Sequence, residues 1–93
     1  MAVYIDDFRV PWRGRSWSHL TADTAEELHE FAAALGIPKR GFHHNPERPW
    51  KAHYDCPEAI REKALSMGAK PIGRREAAAR LRDKRAEHRE QRG

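Results

Sequence analysis

The apolar residues of this chain occur only in short runs, and this limits what the chain can fold into. The longest uninterrupted runs are residues 1–5 and 31–35, with five residues each. Because a helix that crosses a bilayer needs roughly 18 consecutive apolar residues, the sequence predicts no membrane span. The chain has 93 residues, 39% of them hydrophobic, which is enough for one small core. We therefore expect a single small domain, and large multidomain enzymes are excluded.

Two local features bear on the cellular compartment. Asp6 and Asp7 follow the first apolar run directly, whereas a secretory signal needs a basic start and a longer apolar centre. Cys56 is the single cysteine, so the sequence cannot form an internal disulfide or a thiolate zinc cage. We expect a cytoplasmic protein that is stabilised by packing. Cys56 near a predicted helix start also suggests a reactive thiol, but no other residue is spaced to complete a nucleophilic triad.

Two stretches have the pattern of β-strands. Residues 2–5 are rich in β-branched and aromatic side chains, and residues 16–21 alternate with period two. The alternation predicts two faces, with Trp17, His19 and Thr21 on one and Ser18, Leu20 and Ala22 on the other. Residues 8–15 predict an irregular loop or the bend of a hairpin, and residues 70–72 a short edge strand. Residues 38–49, which include His43 and His44, have too little periodicity for a helix or strand and predict a long loop.

Capping patterns predict two helices, and a third follows from an apolar stripe. Residues 23–26 and 55–58 each place an aspartate three positions before a glutamate, which is the spacing of a capping box. Gly36 and Gly68 would end the helices that these boxes open. A third helix would begin at Arg74 and lose its apolar side chains after residue 81.

The order of these elements predicts the fold class. Strands and helices alternate along the chain, which is typical of an α/β protein. We expect a small single domain with two or three strands, two to three helices and a charged C-terminal helical tail. The domain would span residues 1–81, and residues 82–93 would form a basic helical or disordered tail.

The positive charge is concentrated at the C-terminal end. The formal net charge is +4, yet residues 1–73 contain ten basic and ten acidic side chains. Residues 74–93 contain eight basic and four acidic ones, so the excess lies in the tail. Within the body, acids dominate residues 1–30 and bases dominate residues 31–73, which favours a polarised cleft or a homodimer. Taken alone, the net charge would suggest binding to nucleic acid through its phosphates, and its concentration in the tail weakens that inference.

Histidines and aspartates form the strongest candidate site. Five of the six histidines lie between residues 19 and 53. If one strand and two helix N-termini meet at one end of the sheet, five side chains would converge as a catalytic cluster: His19, Asp23, His29, His53 and Asp55. Of these, His19, His53 and Asp55 are the candidate ligands of a divalent metal, which would activate a water molecule. The alternative is structural, because Asp23 and Asp55 already serve as predicted helix caps.

Arginines next to aromatic residues suggest the class of ligand. The candidate phosphate contacts are Arg9, Arg13, Arg15 and Arg61. Aromatic side chains beside them can stack on bases, although tryptophans in so small a domain also serve to cover the core.

Three functions remain open on this reasoning. The first is a hydrolase-like or ligand-binding domain that acts on a nucleotide or nucleic acid through the His/Asp cluster. The second is a non-enzymatic module that binds nucleic acid or protein, with the tail supplying most of the affinity. The third is a phage-type accessory factor that sequesters a host protein.

Several segments together resemble one known family. They are VYIDD at residues 3–7, SHLTAD at 18–23, EELHEFAAALGI at 26–37, and HYD at 53–55 ahead of a predicted helix that ends in MGA at 67–69. Over about residues 2–80 the chain is similar to a small bacterial and bacteriophage family catalogued as domain of unknown function 4031. The matching positions are Tyr4, Asp6, Asp7, His19, Leu20, Asp23, Glu27, Leu28, His29, Phe42, His53, Tyr54, Asp55, Arg61, Ala64, Gly68 and Ala69. The resemblance implies a bacterial or bacteriophage setting, and it implies that the polar positions belong together. It implies no activity, and it implies nothing about the chain beyond Leu81.

Overall fold

The computed structural model describes residues 2–92, which form one mixed sheet and three α-helices. The strands are β1 Val3–Ile5, β2 Val10–Trp12, β3 Arg15–Ala22, β4 Phe42–His43, β5 His53–Pro57 and β6 Lys70–Pro71. The helices are α1 Ala25–Ala34, α2 Glu58–Ser66 and α3 Arg74–Arg92. Two 3-10 turns, Lys39–Gly41 and Pro49–Lys51, precede β4 and β5.

The long strand β3 organises the sheet. The strand order is β4-β5-β3-β1-β6, and β2 forms a hairpin with the first half of β3. Both β1 and β5 run antiparallel to β3, whereas β6 pairs with β1 in parallel at the sheet edge. Residue pairing places His19 of β3 directly opposite Asp55 of β5.

The α/β class is confirmed, but the predicted number of two or three strands is wrong, because the sheet has six. β2, β4 and β6 contain only two or three residues each, which is too short for an alternating pattern to be recognised. Each is held by pairing with a neighbouring strand: β2 with β3 across a tight hairpin, β4 with β5, and β6 with the distant β1. The sequence does not predict β5 for another reason, because residues 55–58 have the spacing of a helix cap. In the structure the chain stays extended through Pro57, and α2 begins at Glu58.

The first helix is also capped one residue later than the sequence predicts. Thr24 is the N-cap of α1, and its Oγ1 accepts a hydrogen bond from the backbone N–H of Glu27 at 3.2 Å. The Glu27 carboxylate accepts from the Thr24 hydroxyl at 3.0 Å, which adds a side-chain bond to the cap. Asp23 is therefore free for another role, and it accepts from the backbone N–H of Ala2 and from Arg80.

The hydrophobic core lies between the sheet and helices α1 and α2. Its central side chains include Ile5, Leu20, Leu28, Ala32, Tyr54, Cys56 and Ala64. Arg61 of α2 is also buried under this face, where it donates hydrogen bonds to the backbone oxygen of Asp6 at 2.6 Å and to Ser18 Oγ at 3.0 Å. Both bonds come from Nη1, and no buried side-chain nitrogen or oxygen in the described residues lacks a hydrogen-bond partner.

Helix α3 covers part of the opposite face of the sheet. The Arg80 guanidinium lies 3.4 Å from the centre of the Tyr4 ring, and Lys84 donates a hydrogen bond to the backbone oxygen of Ala22. Further along, the Trp50 ring contacts His88. Within residues 2–92, no helix combines the length and the apolar character that crossing a membrane would need.

Candidate metal centre

The register between β3 and β5 brings three polar side chains to one place on the sheet. Residues two apart on a strand share a face, as do paired residues on neighbouring strands. His19 pairs with Asp55, and His53 lies two positions from Asp55 along β5. All three side chains therefore project from the face that α3 partly covers.

These three side chains are close enough to share an ion. One potential ligand atom from each of His19, His53 and Asp55 lies within 4.8 Å of the others. His53 Nε2 is 3.3 Å from a carboxylate oxygen of Asp55, and the His19 and His53 rings meet edge to face with centroids 4.9 Å apart. Two imidazoles and one carboxylate are a ligand set that zinc uses in catalytic sites.

Each imidazole is oriented through its other ring nitrogen. His19 Nδ1 contacts Asp6 Oδ2 at 2.6 Å, and His53 Nδ1 donates to the backbone oxygen of Lys51 at 2.8 Å. Because a carbonyl oxygen can only accept, His53 carries its proton on Nδ1 when neutral and presents the Nε2 lone pair to Asp55 and His19. Partners of this kind fix the ring orientation of metal-binding histidines.

Asp6 is the most constrained of these orienting groups. Its carboxylate is buried and accepts from the His19 ring and from the backbone N–H groups of His19 and Phe8. Burial favours a higher pKa for Asp6, but these hydrogen bonds outweigh it, so the pKa lies below its ordinary value. In return, the Asp6 hydrogen bond raises the pKa of His19. Sequence reasoning used Asp6 only in the argument against a secretory signal and as a position that matches the family, and it missed this role.

His53 is held in the neutral state by its surroundings. Burial lowers the pKa of His53, and the nearby His19 and His43 act in the same direction. A neutral imidazole is the form that binds metal. The environment of His53 therefore suits a ligand at physiological pH.

His43 is a further member of the cluster that sequence reasoning left in a loop. Its Nε2 lies 2.9 Å from Asp55 Oδ2, and its ring stacks on His53 with centroids 5.1 Å apart. The contact arises because β4 pairs with β5 and places His43 opposite His53. Two adjacent histidines in a long loop were the only sequence signal, and they gave no partner.

A pocket adjoins the cluster between the sheet and α3. It has a volume of about 220 Å³, and His19 and His53 form part of its wall. Its apolar lining includes Phe8, Trp50, Ile72 and Leu81. Lys51, Arg80 and Lys84 supply cationic groups, and burial lowers the pKa of Lys84. A small ligand with an anionic group fits this combination of surfaces.

Two of the sequence-predicted site residues lie elsewhere. Asp23 links the N-terminal end of β1 to α3 through its bonds with the backbone of Ala2 and with Arg80. His29 lies on the α1 side of the sheet, where its Nδ1 is 2.6 Å from the Tyr54 hydroxyl and its ring meets Phe42. Both have structural contacts that account for their presence.

The four predicted phosphate contacts are not gathered at the cluster. Arg9 is paired with Asp7 and Glu58 at 2.8 Å each, and Arg61 is buried under the opposite face. Arg13 and Arg15 are exposed on the β2–β3 hairpin. Cys56 is buried in the core, where desolvation raises the pKa of its thiol to about 11. A thiol in this state is not an activated nucleophile.

Comparison with known proteins gives a family and no activity. Neither a curated protein nor a solved structure matches the chain. A family profile does match, over residues 3–84, which is most of the 93-residue chain and includes every residue of the cluster. The chain therefore belongs to the family described as "Protein of unknown function (DUF4031)".

Proposed function

We propose that this protein binds a divalent transition-metal ion through His19, His53 and Asp55 and hydrolyses a phosphate ester at that centre. The observation that carries the proposal is the convergence of three ligand atoms within 4.8 Å. Both imidazoles already have partners on their second ring nitrogen. Such an arrangement resembles a pre-organised metal site more than a chance surface cluster.

The donor set suits Zn²⁺ in particular. A tetrahedral zinc site has bonds of about 2.0–2.2 Å, which places neighbouring ligand atoms about 3.3–3.6 Å apart. The three ligand atoms lie within 4.8 Å of one another, so coordination would draw them closer together. Three protein ligands leave one coordination position for water, as in catalytic rather than structural zinc sites.

The protein groups around the cluster would support hydrolysis. A bound ion would lower the pKa of its water to about 7 and so supply hydroxide. Attack on phosphorus adds the oxygen of water and breaks the P–O ester bond, and the leaving alcohol takes up a proton. Lys51, Arg80 and Lys84 line the adjoining pocket and would attract the phosphate.

Isothermal titration with Zn²⁺, Mn²⁺ and Ni²⁺ tests the metal centre. We expect one Zn²⁺ per chain, and we expect His53→Ala to weaken binding roughly 100-fold or more because one of three ligands is lost. His44→Ala is the matched control, since His44 is an exposed histidine outside the cluster that stacks on Phe42. Equal affinities in the wild type and His53→Ala would remove the proposal.

Hydrolysis is tested separately with bis-p-nitrophenyl phosphate. Zn²⁺-loaded wild-type protein should release p-nitrophenolate faster than His53→Ala at the same metal concentration. If both release it at the rate of free Zn²⁺, the centre binds metal without hydrolysing phosphodiesters.

A further inference from the structure

The face that carries the metal cluster continues along β3 onto the β2–β3 hairpin. Trp17 and Arg15 lie two and four positions from His19 on the same strand and therefore share its face. The β2 residues paired with them, Val10 and Trp12, share it too. At about 3.3 Å per residue, this row extends about 13 Å from His19.

Large apolar side chains on this hairpin are exposed. Trp12 is 57% exposed and Val10 42% exposed, although both belong to a paired strand. The Trp17 ring meets Trp12 edge to face, and its Nε1 donates to the Trp12 backbone oxygen at 3.0 Å. Trp12 is thus fixed in place by the hairpin while much of its ring remains open to solvent.

Uncompensated positive charge surrounds Trp12. The Arg13 guanidinium lies 4.5 Å from the Trp12 ring centre, and Arg15 is paired with Trp12 across the hairpin. Within residues 2–92, neither Arg13 nor Arg15 takes part in an ion pair. An exposed ring with one arginine against it and a second arginine on the paired residue is a surface that complements a base and its flanking phosphates.

The turn holds Arg13 beside the ring at a conformational cost. Arg13 has φ +50° and Gly14 φ +72°, so both central residues of the turn are left-handed. In the part of the chain that the structure describes, Arg9 and Arg13 are the only residues other than glycine with positive φ. They lie directly before and directly after β2. Left-handed backbone is unfavourable for a residue other than glycine, because its Cβ lies too close to the following carbonyl oxygen. Strain of this kind is concentrated in functional segments more often than elsewhere.

We propose that the β2–β3 hairpin binds single-stranded nucleic acid, with a base stacked on Trp12 and backbone phosphates on Arg13 and Arg15. Unpaired bases present the ring faces that a tryptophan can stack on, whereas a duplex hides them. Helix α3 covers the sheet on the far side of His19, so the hairpin is the open direction along β3. The further step, in which the bound nucleic acid supplies the phosphodiester that is hydrolysed, rests on the proposed metal centre. Binding of the nucleic acid to the hairpin does not.

Fluorescence anisotropy of a labelled 15-mer of deoxythymidine, in 50 mM salt with EDTA, tests the binding. We expect Trp12→Ala to raise Kd roughly ten-fold and Trp12→Phe to restore most of the affinity, because stacking is lost and then partly regained. Arg15→Gln should reduce the slope of log Kd against log salt by about 0.7, the value for one phosphate contact with a single strand. Met67→Ala and Lys63→Gln are matched controls, because Lys63 is exposed on α2 and Met67 is exposed directly after its last residue.

The outcomes separate this proposal from the metal proposal. Unchanged Kd in Trp12→Ala, with thermal unfolding like that of the wild type, would overturn the stacking role. Equal affinity for a duplex of the same length would overturn the preference for single strands. Oligonucleotide binding without Zn²⁺ binding in the calorimetric titration would support the hairpin site and overturn its role in presenting a substrate.

Discussion

Cys56 is a buried thiol whose ionisation is coupled to folding. In the unfolded chain it loses its proton near the ordinary pKa of 9.0, whereas burial raises the pKa of the folded thiol to about 11. The unfolded state therefore releases a proton first as pH rises, and the folded state loses stability between pH 9 and pH 11. We expect the wild type to lose up to about 1.4 kcal/mol per pH unit in this window relative to Cys56→Ala. Urea unfolding of both proteins at pH 8, 9, 10 and 11 measures the difference.

The comparison with Cys56→Ala isolates this thiol, because tyrosines and lysines titrate equally in both proteins. The alanine variant starts from a lower stability, since it leaves a small cavity. If the stability gap between the two proteins stays constant from pH 8 to pH 11, Cys56 is more accessible to water than its buried position indicates.

His43 is a positioning residue for Asp55. Its Nε2 lies 2.9 Å from Asp55 Oδ2, so it holds the carboxylate whose other oxygen faces His53. Loss of an orienting partner weakens metal sites by roughly 10–100-fold. We expect His43→Ala to weaken Zn²⁺ binding about ten-fold and His43→Gln, which keeps an N–H donor, to recover part of it. Calorimetric Kd values at pH 7.5 measure this effect.

The neighbouring His44 provides the control for this prediction. It is exposed and stacks on Phe42, away from the carboxylate of Asp55. His44→Ala should bind Zn²⁺ like the wild type. Equal Kd values for His43→Ala and His44→Ala would mean that Asp55 needs no support from β4.

At the scale of the element, the start of α1 depends on Thr24. Its hydroxyl accepts from the Glu27 backbone and donates to the Glu27 carboxylate. Replacement of a cap residue of this type by alanine costs about 1 kcal/mol. We expect Thr24→Ala to lower the free energy of unfolding by that amount and Glu26→Ala, at the cap partner that the sequence predicted, to change it by less than about 0.5 kcal/mol. Chemical denaturation checks both; a larger loss for Glu26→Ala would contradict the observed cap.

The elements that sequence could predict are those with local signals. β3 has eight residues and clear alternation, and the apolar stripe of α1 marks its buried face. Capping patterns gave the helices to within a few residues, but an aspartate three positions before a glutamate is too common to locate a cap. In β5 the same spacing occurs within an extended strand, because pairing with β3 outweighs local preference there.

At the scale of the whole molecule, the cluster depends on contacts that no local pattern encodes. Residue type was enough to single out His19, His53 and Asp55. Asp6 joins them through its contact with His19, and His43 joins them because β4 pairs with β5. The sequence also grouped Asp23 and His29 with them on the assumption that helix N-termini meet the strand end. His29 instead belongs to α1, which packs on the other face of the sheet, and its ring contacts the Tyr54 hydroxyl there.

Helix α3 links the last part of the chain to the pocket, and this gives a final prediction. Residues after Leu81 were expected to form a basic helical or disordered tail, yet Lys84 donates to the Ala22 backbone and His88 contacts Trp50. Deletion of residues 82–93 removes that hydrogen bond and uncovers the indole, so we expect a loss of about 2 kcal/mol in unfolding free energy. Trp50 should become more exposed, with a red shift of tryptophan emission.

A chain that stops after Glu90 is the control for this deletion, because it keeps Lys84 and His88. It should unfold like the full chain and show the same emission. The deletion also removes five of the eight basic residues that follow residue 73, so it changes charge as well as packing. The variant Lys84→Met separates the two effects, because it keeps the helix and the apolar stem but loses the donor. If the deletion leaves both unfolding and emission unchanged, residues 82–93 contribute charge alone, and the wall of the pocket is formed by the first two turns of α3.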